Sequence, residues 1–189
     1  MENKKISRYP VPSFEKMPRD IQEMVKGAEK SYGFIPNVIK ALAHRPAELR
    51  AFMTYNEALT NKESGLTPEE RELMIVAFSG YNGCLYCVAS HSAAYRGMSG
   101  NISKADQVAV NYHEANITPR EKVIIEFSMK LTKNPAEMNE DDFEKLRKQG
   151  LSDEDIWDVA GFTAFFNLSN RMMIFLAVKP DEEFYSMGK

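Results

Sequence analysis

Cysteine is scarce: the 189 residues contain two, both within four positions of each other. That excludes the framework of several disulfides that staples many small secreted domains. Long apolar runs are missing as well. The longest unbroken stretch, Met172 to Val178, falls far short of the roughly 20 residues a membrane-spanning helix needs. Neither sign of charge dominates. The 24 basic and 27 acidic residues are spread along the chain and sum to −3, so there is no basic stripe to neutralise phosphates, and neither nucleic acid nor a membrane is an expected partner. The opening residues Met1 to Arg8 are polar, without the apolar stretch and small-residue cleavage site of a secretory signal, and a cytoplasmic location is expected.

What the chain does have is apolar material: 43% hydrophobic and 11% aromatic residues, enough for a core without staples. A single domain over residues 1–189 is the simplest organisation. Pro10, Pro12 and Pro18 make residues 1–18 read as an extended arm, draped over the body or a partner subunit. Ile21, Met24, Val25 and Ala28 then repeat at helical spacing as far as Tyr32-Gly33. Helices are also expected from Pro36 to Ala43, from Pro46 to about Leu59, and from Thr67 to Ser79, the last opened by a capping hydroxyl, a proline and Glu70. Further helices should run from Cys84 to about Tyr95, from Thr118 to Leu131, from Asp141 to Gln149, and from Ser152 to about Val178. The last leaves room for a break near Asn167. Strand alternation is lacking, so the expected class is all-α. Thr67 to His91 can be laid loosely on Ser152 to Leu176, a weak internal similarity whose second copy lacks the cysteines.

The chemistry-bearing residues lie at one helix start. Cys84, Cys87 and His91 stand at i, i+3 and i+7 and so share a face, with Cys87 and His91 one turn apart. A thiol in a first helical turn feels the positive end of the macrodipole, which favours the thiolate, and an imidazole four residues on can take its proton. Cys87 is thus the better-placed nucleophile. A thiolate that attacks a hydroperoxide becomes a sulfenic acid, which a second thiol, here Cys84, condenses with to form a disulfide. Reduction of that disulfide requires an external dithiol, protein or small molecule. Glu72 leads into the apolar run Leu73 to Phe78, where a carboxylate needs a partner such as His91 or a water. Other uses of these residues remain open. Glu72, Cys84, Cys87 and His91 could form a tetrahedral zinc set, the thiols could be small buried hydrophobes, or the pair could serve a redox sensor or a general disulfide oxidoreductase. His44 and His113 read as surface or packing residues. Asn167, Asn170 and Arg171 read as satisfying helix ends or an interface. The methionines and Phe162, Phe165 and Phe166 read first as core, and some of them as lining for a thiol pocket that would favour organic hydroperoxides.

The run Asn82-Gly83-Cys84-x-Tyr86-Cys87-x-x-x-His91, with Glu72 upstream, resembles the active-site pattern of alkylhydroperoxidase D and the wider carboxymuconolactone decarboxylase-like family, within it the group of peroxidase-related enzymes. The resemblance is most specific over about residues 45–130, the expected core region. It implies an AhpD-like helical bundle assembled into homo-oligomers, with no cofactor and a small hydroperoxide as substrate. By position it implies that Cys87 is the peroxidatic residue, Cys84 the resolving partner, His91 the activating base, and Glu72 the carboxylate that orients it or relays protons. The pattern departs at Tyr86, where alkylhydroperoxidase D has histidine; Tyr86 would offer its hydroxyl or pack. Decarboxylase members of the family lack the paired cysteines, which argues against lactone decarboxylation.

Overall fold

The computed structural model describes residues 5–189 and is all-α, with no β-strand among them. Its helices are α1 (Arg19–Tyr32), α2 (Asn37–Leu42), α3 (Pro46–Thr60), α4 (Pro68–Tyr81), α5 (Leu85–Ser99), α6 (Lys104–Asn111), α7 (Pro119–Lys133), α8 (Glu140–Arg147) and α9 (Asp153–Leu176). Reciprocal capping opens four of them. Thr67 with Glu70, Thr118 with Glu121, Asn139 with Asp142 and Ser152 with Asp155 each satisfy backbone N–H groups that a helix start leaves without a partner.

Three elements differ from the sequence expectation. Helix α5 continues past Gly97 to Ser99 and stops at Gly100, which takes the left-handed conformation at φ 67° that glycine adopts without strain. Helix α6 has no counterpart in the expectation. It is short and buries only Ala105 and Val108, while Asn101 accepts from the amides of Ser103 and Lys104 at its start. Helix α9 runs unbroken through Asn167. That side chain donates to the Thr163 carbonyl one turn back and to the Thr132 hydroxyl, so its polarity is met without opening the helix.

Helix α4 occupies the centre. Leu73, Met74, Ile75, Val76, Ala77 and Phe78 along it are all buried, and it packs on α5, α6, α7 and α9. One apolar cluster joins α4 to α7 and α9, and a second joins α1, α2 and the start of α5 to the C-terminal segment; Phe52 touches both. Gly80 allows α6 to approach, because a Cβ there would lie 2.5 Å from the carbonyl oxygen of Ala109. At the N-terminal side, the Arg8 amide donates to the Leu176 carbonyl and the Lys179 amide to the Ile6 carbonyl, which lays residues 6–8 along the end of α9.

Two helical glycines, Gly80 of α4 and the exposed Gly97 of α5, predict opposite outcomes. Gly80→Ala should destabilise the fold by about 1–3 kcal/mol through overpacking. Gly97→Ala, where nothing lies within 4 Å of the added carbon, should stabilise it by about 0.5–1 kcal/mol. Urea unfolding of both variants checks the pair, and equal shifts would contradict the packing assignment.

Candidate active site

The turn between α4 and α5 places the first cysteine. Gly83 adopts φ 72°, which favours glycine, and the Cys84 amide then donates to the Ser79 carbonyl at 2.9 Å. Cys84 becomes the N-cap of α5, and its sulfur accepts from the Cys87 amide at 3.3 Å. The two cysteines form a disulfide, with Cα atoms 5.3 Å apart. Both are buried, 1% and 2% exposed, yet they differ in access: Cys87 lines a cavity of about 500 Å³ and Cys84 is not among its lining residues.

One turn beyond Cys87, His91 reaches across to α4, where its Nδ1 lies 2.7 Å from Glu72 Oε2. The imidazole stands edge-on to Phe166, ring centres 4.7 Å apart. Glu72, Tyr86, Cys87 and His91 all line the one cavity. With Nδ1–H donating to the carboxylate, Nε2 is left as the basic nitrogen. Among the described residues, no group of three or more His, Cys, Asp or Glu side chains is arranged to hold a metal ion.

Tyr86, buried between the cysteines, both packs and uses its hydroxyl, but against neighbouring backbone and a carboxylate. It accepts from the Val38 amide at 3.3 Å and donates to Asp181 at 3.4 Å, and its ring meets Phe184 edge-on. Burial and the Asp181 charge push its pKa well above the ordinary tyrosine value, so the phenol stays protonated. Asp181 also accepts from the Asn37 amide at 2.9 Å. Arg96 completes the fastening of the C-terminal segment by donating to the carbonyls of Phe184 and Met187.

The asparagine cluster holds the same turn from behind. Asn82 donates to the side-chain oxygens of Asn167 and Asn170, and Asn170 donates to the Ser79 hydroxyl. Arg171 bonds back to Asn167 on the exposed side. His44 donates to the Pro10 carbonyl at 3.1 Å, and exposed His113 lies tilted against the Tyr112 ring; neither lines the cavity. Residues that the sequence did not point to complete the walls. Tyr32 comes from α1, Phe52 from α3 and Phe184 from the C-terminal segment, all brought in by tertiary packing.

The fold and this cavity define an all-α protein in which a cysteine pair, an imidazole and a carboxylate converge. The model of the carboxymuconolactone decarboxylase family matches residues 46–127. The structure labelled alkylhydroperoxidase AhpD core, an uncharacterized peroxidase-related protein from Ralstonia eutropha JMP134, is 49% identical, with 97% of each chain covered and a TM-score of 0.95. An uncharacterized peroxidase-related protein from Silicibacter sp. TM1040 is 34% identical, covering 100% of this chain and 99% of its own, with a TM-score of 0.92. The apo debrominase Bmp8, 17% identical over 99% of this chain and 97% of its own, shares the fold at a TM-score of 0.76. No curated protein matches. The chain belongs to the alkylhydroperoxidase D-like, carboxymuconolactone decarboxylase family.

Burial also raises the pKa of the Asp181 carboxyl above its ordinary value, outweighing the Asn37 amide that works against it. The folded protein therefore holds this proton at a pH where the unfolded chain has released it. The contribution is present in acid and is lost as pH rises from about 4 through the raised value. Tm should accordingly fall for the wild-type protein relative to Asp181→Asn as pH rises from acid to neutral. A Tm difference that is constant with pH, or that changes in the opposite sense, would contradict this assignment.

Proposed function

We propose that the protein is a thiol-dependent peroxidase that reduces organic hydroperoxides through a Cys84–Cys87 dithiol–disulfide cycle. The observation that carries this reading is the asymmetry of the pair. Cys87 opens onto the cavity beside the His91–Glu72 couple, and its disulfide partner lies behind it.

In the reduced protein, the Cys87 thiol sits in the first turn of α5, where the helix dipole favours its thiolate. His91, oriented by Glu72, takes the thiol proton at Nε2. The thiolate then attacks the terminal oxygen of the hydroperoxide. The S–O bond forms as the O–O bond breaks, and the products are a sulfenic acid and an alcohol. The Cys84 sulfur attacks the sulfenic sulfur, water leaves, and the disulfide forms. Restoring both thiols takes two electrons from an external dithiol, which enters by thiol–disulfide exchange at Cys87, the sulfur on the cavity side. A homo-oligomeric assembly and a cytoplasmic setting accompany this reading, with no resident cofactor required by any step.

The cavity selects among peroxides. Val38, Ile39, Phe52, Met53, Phe166 and Phe184 contribute apolar walls, and contact with them rewards an organic substituent. Enclosing one large apolar group is worth about 1.5–3 kcal/mol. Stopped-flow reaction of the reduced protein should therefore give a rate constant for cumene hydroperoxide exceeding that for hydrogen peroxide by roughly 10- to 100-fold. Two thiols should be lost per peroxide. Equal or reversed preference would contradict the apolar-pocket reading, and no thiol loss would remove the peroxidase reading itself. Glu72→Gln should slow the same step by about tenfold or more, through loss of the oriented base.

A further inference from the structure

The charge on a cavity's walls helps decide which molecules reach the sulfur in it, and these walls carry charge of one sign. Among the described residues that line it, Glu57 and Glu72 are acidic and none is lysine or arginine. Glu72 comes from α4 with a side chain 16% exposed, and Glu57 comes from α3 and stands exposed at the rim. His91 does not cancel this charge. Whether the shared proton sits on Cys87 or on His91, the group of Glu72, His91 and Cys87 carries a single negative charge, and Glu57 adds a second. The partial positive charge at the start of α5 is met by the Cys87 thiolate itself. Behind Tyr86 stands a further carboxyl, that of Asp181.

The basic side chains of the helices around the cavity are turned away or engaged. On α1, Met24, Gly27, Ala28 and Ser31 line the cavity at helical spacing, whereas Arg19, Lys26 and Lys30 share the opposite face. Lys40 of α2 donates to Asn37, and Arg50 of α3 donates to Asp20. Arg71 of α4 donates to the Leu66 carbonyl and lies over the Phe162 ring. Arg96 of α5 bonds the carbonyls of Phe184 and Met187, and Arg171 of α9 bonds Asn167. An anion that leaves water for this cavity therefore finds no cation to replace its hydration. A cavity of about 500 Å³ is about 10 Å across, so a molecule inside it stays within roughly one Debye length of both carboxylates at about 0.1 M salt.

We infer that the cavity selects by charge: neutral organic hydroperoxides reach Cys87, those bearing a carboxylate or a phosphate are held off, and Glu57 is a specificity-determining residue. The substrate class rests on the peroxidase reading above, whereas charge selection at Cys87 is a property of the cavity alone. Two wall charges acting over ~9 Å at an effective dielectric of ~50 slow a monoanion by about tenfold relative to a neutral molecule of the same shape. Glu57 supplies one of the two charges, a factor of about three.

Two pairs of reagents, alike in shape and unlike in charge, test this, and one pair is independent of peroxide chemistry. Alkylation of Cys87 in the reduced protein by iodoacetamide and by iodoacetate is followed by mass spectrometry of the Cys87 peptide. The ratio of the two rate constants is divided by the same ratio for a free thiol, N-acetylcysteine amide. Single-turnover oxidation is measured with cumene hydroperoxide carrying a para-carboxamide or a para-carboxylate. The expected result is a preference for the neutral reagent of about tenfold in both pairs, reduced about threefold in Glu57→Gln and weakened as salt is raised to about 1 M. A normalised alkylation ratio near one overturns charge selection, and a ratio that Glu57→Gln leaves unchanged overturns the role of Glu57. Discriminating alkylation in a protein inert to both peroxides removes the peroxidase reading and the substrate class with it. Two peroxides that react at equal rates remove the substrate class and leave the peroxidase reading standing.

Discussion

The hydrogen bond between His91 and Glu72, 2.7 Å long, is the contact around which the site is organised. It joins α4 to α5 across the cavity and gives a half-buried carboxylate the partner its surroundings otherwise lack. It also decides which imidazole nitrogen is free. The bond holds its geometry because α4 is locked on every side, with Leu73 to Phe78 buried directly after Glu72. Four neighbouring helices leave that segment no alternative packing.

The cysteine pair depends on the same frame through a polar brace. Asn82 and Asn170 tie the end of α4 to α9, and the Ser79 carbonyl receives the Cys84 amide. On the other flank, Tyr86 links the first turn of α5 to Val38 and Asp181, and Arg96 fastens the chain beyond Asp181. The wall holding Phe184 is thus pinned to the residue between the two cysteines. Buried polar groups that are satisfied in this way specify one arrangement of the elements they connect.

Much of this was legible locally. The hydroxyl–proline–glutamate starts at Thr67 and Thr118 carry their mechanism within four residues, and the structure has both capping boxes. The all-α class follows from such starts and from helical periodicity. Helix α6 was not legible, because it buries two residues only and follows closely on Gly100, which ends α5. Asn167 misled in the opposite direction, since a polar residue in an apolar run reads as a break until its partners on α4 and α7 are known. At the site, Cys84, Cys87 and His91 share one short segment and could be grouped by spacing, and Glu72 by the apolar run it precedes. Tyr32 and Phe184 lie at distant positions in the chain, and only packing brings them to the cavity. Tyr86 sits inside the motif, yet its partner Asp181 is 95 residues away, beyond any local pattern.

The central claim is that Cys87 is the sulfur that meets the peroxide and Cys84 the one that resolves it. Dimedone, which captures sulfenic acids, tests this directly when added to reduced Cys84→Ser and Cys87→Ser proteins with one equivalent of cumene hydroperoxide, with the labelled peptide identified by mass spectrometry. The account predicts a stable adduct on Cys87 in Cys84→Ser and none on Cys84 in Cys87→Ser. An adduct on Cys84 of equal or greater yield would contradict it.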